Sequence, residues 1–219
     1  MDFLNALILL LNYIFVPALA YGSQLAIGAI FVTLIYGILR FANFATGDMM
    51  SFGTMVAILF TWYFQSLGLS LGFLPTALLA IPFAILFMGL YMLIIDKFVF
   101  KYYRLNKSPP VQLAMVSIGV MFVTQAVVRI IIGPSDRRFF DGEKFLIKAN
   151  EFKEMTGLNE GLAIKSTQVI TIVVTIILVS TLFWFLNKTK TGKSMRAYSD
   201  NEDLALLSGI DPKKIVMIT

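Results

Sequence analysis

Three polar interruptions in an otherwise apolar chain hold the side chains that could do chemistry. The first is Asn43-Phe44-Ala45-Thr46-Gly47-Asp48, set between two apolar stretches that are each short for a membrane crossing. Unwound backbone at membrane depth must line protein or water, so amide, hydroxyl and carboxylate groups at such a break are what a solute path needs. A carboxylate such as Asp48 costs about 2.5–3.5 kcal/mol at the centre of a membrane helix, and so it faces away from lipid. The same residues also read as a plain turn at the membrane face, with Gly47 as a cap and Asp48 starting the next helix. The second interruption is Gln125 with Arg129, one turn apart in another apolar run. Gln125 either bonds a neighbouring span or lines the path; Arg129 either snorkels to the interface or meets a substrate carboxylate. The third is Gly192-Lys193-Ser194, which has the ending of a phosphate-binding loop. That loop needs a glycine five positions before Gly192, where Asn187 stands, and a strand where this chain has an apolar helix. The chain is therefore not expected to bind ATP itself.

Much other chemistry is excluded at the outset. The 219 residues include no cysteine and no histidine. This removes disulfides, thiolate nucleophiles, most zinc sites and histidine acid–base catalysis. There is no metal-ligand cluster, no nucleophile–base pair and no cofactor loop. The chain reads as a non-enzyme, with no catalytic residue, metal or cofactor.

The elements that must position these residues are membrane helices. The chain is 58% hydrophobic, with a mean hydropathy of +0.82. That composition belongs to an all-α, polytopic integral membrane protein with lipid as its surroundings. The net charge of +5 serves orientation, and no aromatic-plus-basic motif points to nucleic acid. Asp2 gives an acidic start, unlike a cleavable signal peptide. Residues 3–20, interrupted by Asn12 and Pro17, either span or lie at the interface, and Gly22-Ser23-Gln24 breaks the run. Further apolar stretches follow at 25–39, 49–64, 71–95 (bent by Pro75 and Pro82), 111–132 and 166–186, and another begins at 215. The expectation is about six spans plus the start of another, in a single transmembrane domain 1–219 that is incomplete at its C-terminus. Gly28 and Gly37 are expected to permit close helix contacts.

Between the last two apolar runs lies 187–214, far longer than a turn requires. Ser199 and Glu202 stand at capping-box spacing, with Asp200, Glu202 and Asp203 where a helix dipole favours negative charge. Gly209 is placed to end that helix, and Asp211-Pro212 to start another. The segment reads as a helical hairpin exposing Leu204, Leu207 and Ile210, either packed on its own bundle or docking a soluble partner. Orientation follows from the basic residues. Segment 96–110 carries Lys97, Lys101, Arg104 and Lys107 against Asp96; 187–214 carries Lys188, Lys190, Lys193, Arg196, Lys213 and Lys214. Both are expected to be cytoplasmic. The polar segment 133–165 between them, with six basic and six acidic residues, is then external. Counting back puts 40–48 at the cytoplasmic side; the N-terminus is cytoplasmic if 3–20 spans and external if it does not.

Two stretches carry a family resemblance. Tyr36-Gly37-Ile38, then Asn43-Phe44-Ala45-Thr46-Gly47-Asp48 and Gly53, resembles the first signature of the branched-chain amino acid ABC transporter permeases, the LivH-type subunits. The chain departs from it at Thr46, where histidine is usual, and at Asp48, where glutamate is usual. The second stretch is Thr191-Gly192-Lys193-Ser194-Met195-Arg196-Ala197, followed by Asp203, Ala205, Gly209 and Ile210. It resembles the family's cytoplasmic coupling loop, and Ile118-Gly119 also fits. The resemblance implies a permease subunit in a bacterial or archaeal cytoplasmic (inner) membrane. Its solutes would be branched-chain or related small amino acids. ABC ATPase subunits would dock on the coupling residues Gly192, Arg196, Ala197, Asp203, Ala205, Gly209 and Ile210. A second, LivM-type permease subunit would complete the path, and an extracytoplasmic solute-binding protein would deliver substrate. Asn43, Phe44, Thr46, Gly47, Asp48 and Gln125 are the pathway candidates. An importer for urea, short amides or another small polar solute fits the same motifs. An ATP-independent secondary transporter or channel fits less well, because ion coupling calls for paired intramembrane charges, and away from Asp48 and Arg129 the spans offer almost none.

Overall fold

The computed structural model describes residues 2–69, 71–72, 74–106, 108–138, 140, 144–211 and 214–216. Four helices among them are long and apolar enough to cross a membrane: Phe3–Leu39, Ala77–Leu105, Pro110–Ile132 and Ser166–Lys188. Helix α3 (Thr46–Ser66) is long enough but less apolar. The chain forms two compact units, one of Met1–Phe31, Gly72–Pro75 and Asp141–Thr189, the other of Val32–Leu71, Thr76–Phe140 and Lys190–Thr219.

The first departure from expectation concerns the N-terminal run. Residues 3–20 and 25–39 are one unbroken helix: α1 (Asp2–Leu10), a π-turn (Leu11–Phe15) and α2 (Val16–Leu39). Pro17 has no N–H, and its ring crowds the carbonyl four residues back. The chain answers with a wider turn, in which the Val16 N–H reaches the Leu11 carbonyl, and the helix continues. Gly22-Ser23-Gln24 does not break it. Ser23 Oγ donates to the Leu19 carbonyl at 2.7 Å. A helical glycine costs only about 1 kcal/mol, less than the several kcal/mol of leaving backbone groups unpaired in lipid.

In the first unit, the polar segment read as a loop is folded. Strand β1 (Phe145–Ile147) pairs antiparallel with β2 (Ile164–Lys165), and α7 (Ala149–Thr156) lies between them in sequence. The all-α expectation holds for the spans, with this two-stranded ribbon added. Asn5 and Asn12 of the N-terminal helix serve its backbone. Asn12 Oδ1 accepts from the Ala163 N–H at 3.2 Å, and Asn5 Oδ1 from the Glu160 N–H at 3.4 Å. Asn12 is thus a polar clamp, not a helix interruption. Gly161 approaches so closely that a Cβ there would collide with the Ala149 carbonyl. Helix α8 (Ser166–Lys188) follows, its first turn closed by the Lys165 N–H donating to Gln168 Oε1 at 3.1 Å.

In the second unit α3 packs against α4 (Ala77–Ile95) and α6 (Pro110–Ile132). Phe52 stacks on Tyr91 with ring centroids 4.2 Å apart, and the Tyr91 hydroxyl hydrogen-bonds Thr124 Oγ1 at 2.9 Å. Gly53, quoted above as part of a signature, brings α3 against Met88: a Cβ there would meet Sδ at 2.8 Å. Gly37 has only an ordinary contact and Gly28 none within 4 Å, so the expected close approach at Gly28 is not found. The segment 96–110 is mostly helix, not loop. Helix α4 passes through a π-turn (Asp96–Phe100) into α5 (Lys101–Leu105). Asp96 and Arg104 lie two turns apart, on one face, and form an ion pair at 2.6 Å. Between them in sequence, Phe100 is buried in the core with Phe41, Ala45, Met49, Leu113 and Val120. Pro75 precedes α4, and Pro82 lies inside it. Lys107, counted above for orientation, lies outside the described residues, as do Asp141 and Glu143.

Candidate functional site

The break after α2 is built around Arg40, whose φ of 59° is left-handed. Its N–H still bonds the Tyr36 carbonyl at 3.0 Å, and the chain then leaves the helix. Phe41 and Ala45 turn inward, 3% and 0% exposed. Burying unwound backbone requires partners for its donors, and side chains supply some of them. The Phe44 N–H donates to Ser117 Oγ of α6 at 3.0 Å. The Ala45 N–H donates to Asn43 Oδ1 at 3.1 Å, and Thr46 Oγ1 donates to the Asn43 carbonyl at 2.8 Å. Helix α3 therefore starts at Thr46, with Gly47 and Asp48 already inside its first turn. Gly47 is not the cap. Asp48 sits where the helix dipole favours a carboxylate.

The pathway candidates are only partly brought together. Asn43 and Asp48 are half-buried, Thr46 is buried, and Phe44 and Gly47 are exposed. Gln125 is half-buried, but it lies two turns along α6 from Ser117, about 12 Å by helical rise. A cavity of about 360 Å³ opens beside the break, lined by Phe41, Asn43, Met49, Met92, Asp96 and Arg104 among others. Of the candidates, Asn43 alone lines it. The ion pair was legible only as loop charge, and Ser117 carried no signal beyond being one of two hydroxyls, with Thr124, in an apolar helix.

The expected hairpin is present as α9 (Lys190–Asp200) and α10 (Glu202–Leu207). Its cap is Asn201, whose Oδ1 accepts from the Leu204 N–H at 3.1 Å, and not Ser199. Helix α9 runs on through Asp200, which leaves Ser199 within its last turn. Glu202 consequently accepts from the Tyr198 hydroxyl at 2.7 Å. Burial, with that carboxylate second, pushes the Tyr198 hydroxyl up to about 12. Gly209 does end α10: at φ 79° its N–H bonds the Leu206 carbonyl at 3.0 Å and the Ile210 N–H bonds Ala205 at 3.1 Å. These paired bonds satisfy the helix's last carbonyls. Gly192, Met195, Tyr198 and Ala205 face inward; Arg196, Ala197, Asp203 and Gly209 are exposed. Leu204 and Leu207 are 60% and 85% exposed, while Ile210 is half-buried. Asp211 accepts from the Ile215 N–H at 3.3 Å; Pro212 and Lys213 lie outside the described residues.

The hairpin is fastened to the break. Ser199 Oγ donates to the Gly37 carbonyl at 2.8 Å, and the Arg40 guanidinium donates to the Ser199 carbonyl.

Comparison with known proteins bears on this arrangement. The family described as "Branched-chain amino acid transport system / permease component" matches residues 14–219. The chain is 26% identical over 202 residues to the high-affinity branched-chain amino acid transport system permease protein LivH of Escherichia coli strain K12, covering 90% of this chain and 62% of that one. Its likeness to LivH of Salmonella typhimurium is the same in identity and coverage. The permease protein BraD of Pseudomonas aeruginosa is 24% identical over 206 residues, covering 93% of this chain and 64% of that one. The chain thus spans less than two thirds of the length of these relatives. No solved structure matches.

Proposed function

This chain belongs to the branched-chain amino acid transport system permease family, and on that footing we propose that it is a permease subunit of an ATP-driven importer for branched-chain or related small amino acids. Its partners are ABC ATPase subunits, a second permease subunit of the LivM type, and an extracytoplasmic solute-binding protein. Its place is the cytoplasmic membrane of a bacterium or archaeon. The relatives' names supply the solute class. The observation that carries the reading is the α9–α10 hairpin, which buries Gly192, Met195, Tyr198 and Ala205 and leaves Leu204 and Leu207 outward. An apolar helical face of this kind suits a groove on a soluble partner.

The sidedness is coherent with that role. Helices α6 and α8 are two crossings, so the basic end of α5 and the hairpin share one side, the cytoplasmic one. The contact between Ser199 and Gly37 supports the same side for the end of α2. Because 3–39 is one helix, it crosses once, and the N-terminus is external. Segment 133–165 is external as well, and 187–214 is the cytoplasmic coupling element. Asn43 belongs to the wall of the path near its inner end, in the cavity that Asp96 and Arg104 also line. ATP-driven movement of the docked partner reorients the spans as a two-state device.

The test is transport by the full-length protein in proteoliposomes with its ATPase, second permease subunit and binding protein. Leucine, isoleucine or valine is taken up only with ATP and ATPase present. Uptake of urea or short amides instead reassigns the solute, and accumulation without any ATPase overturns the proposal.

A further inference from the structure

In the second unit, two helix ends close each other. The last carbonyls of any helix lack partners within it. At the end of α2, Tyr36 is satisfied by the Arg40 N–H, and Gly37 by Ser199 Oγ at 2.8 Å. At the end of α9, Ala197 is satisfied by the Asn201 N–H at 3.1 Å, and Ser199 by the Arg40 guanidinium. A side chain from each helix end thus caps the other. The cation also sits at a helix C-terminus, where the dipole favours it.

Arg40 occupies this place at a conformational cost. Among the described residues it is the sole non-glycine with positive φ, at 59°. Glycine takes that conformation freely, and a side chain there is strained. The position after a helix is commonly glycine for this reason. The arginine stays where its guanidinium can hold α9, and the very next residue, Phe41, is locked in the core at 3% exposure. No slack chain lies between the hairpin contact and the break.

We infer that Arg40 and Ser199 are positioning residues that form a rigid joint, carrying displacement of the hairpin into the 40–45 break. This rests on the proposed docking of an ATPase on the hairpin. The joint acts as a fastener: the two helix ends move together, and a permanent link in place of the polar contacts serves equally well.

The 219 residues contain no cysteine, so a cysteine pair placed within them can be read in the full-length transporter assembled with its ATPase once any thiol elsewhere is replaced. Arg40→Gly removes the guanidinium and relieves the backbone, so the fold is retained. ATPase co-purification and thermal midpoint are expected to stay at wild-type values, while solute moved per ATP hydrolysed falls by about tenfold, the scale of one lost charge-assisted hydrogen bond. Ser199→Ala removes the other contact and lowers the same ratio. A Cβ at Gly37 would stand 3.6 Å from Ser199 Oγ, so side chains at 37 and 199 meet. Oxidised Gly37→Cys with Ser199→Cys, in the Arg40→Gly background, restores the ratio, and reduction abolishes it again. An unchanged ratio in both single variants, or a formed disulfide that restores nothing, overturns the joint while wild-type ATPase association leaves the parent reading standing. Failure of the wild type itself to associate with the ATPase overturns both.

Discussion

Ser117 shows how much a single hydroxyl can hold. It is fully buried in α6 and accepts from the Phe44 N–H across to the break. Ser117→Ala leaves that donor unpaired, a loss of about 1–3 kcal/mol, and lowers the thermal midpoint in detergent; Ser117→Thr, which keeps the hydroxyl, recovers part of it. Tyr198 makes a second test. Its proton is held up to about pH 12, against an ordinary tyrosine value near ~10. A raised acid means that its share of stability is complete below pH ~10 and is lost as pH rises through about 12. Tyr198→Phe flattens that part of the stability curve between these values, measured as the wild-type-minus-variant difference in denaturant midpoints, so that lysines titrating in both cancel. At this scale the sequence showed that Asn43 and Asp48 were polar residues out of place. Ser117 stayed hidden, because a helical serine most often bonds its own preceding turn, and nothing local marks one that reaches a neighbour.

Elements were legible where apolar length or glycine chemistry dictated them. The stretches 111–132 and 166–186 became α6 and α8 nearly as expected, and Gly209 ended α10 with the left-handed turn that suits it. What misled was local punctuation. Pro17 and Gly22 were read as breaks, but a π-turn absorbs the proline and lipid penalises an opened backbone. The charges at 96–104 were read as loop, yet they sit two turns apart on one helix and pair. Ser199 and Asn201 competed for one cap, and the longer α9 gave it to Asn201. Asn201→Ala should therefore cost about 1 kcal/mol and speed hydrogen exchange at the Leu204 amide, while Ser199→Ala leaves that amide's protection unchanged.

For the whole molecule, the count of apolar crossings changed more than its character. Residues 3–20 and 25–39 form one helix, so the proposal counts a single crossing there and takes the external alternative for the N-terminus. The fold of 144–165 escaped prediction in part because Asn5 and Asn12, more than a hundred residues away in sequence, bond its backbone at Glu160 and Ala163. Sidedness can be checked directly, since a cysteine introduced singly meets no other thiol within these 219 residues. A cysteine at Met155, 76% exposed, should react with a membrane-impermeant maleimide from outside intact cells, and one at Lys193 only after the membrane is opened.

The most direct measurement is photo-crosslinking from residue 207 in the assembled transporter. Leu207 is 85% exposed on the hairpin, so a photoreactive residue there should capture an ABC ATPase subunit, with the yield cut sharply by Leu204→Glu on the same helix. Capture of an extracytoplasmic solute-binding protein instead, or crosslinks confined to the permease while the ATPase remains bound elsewhere, would contradict the account.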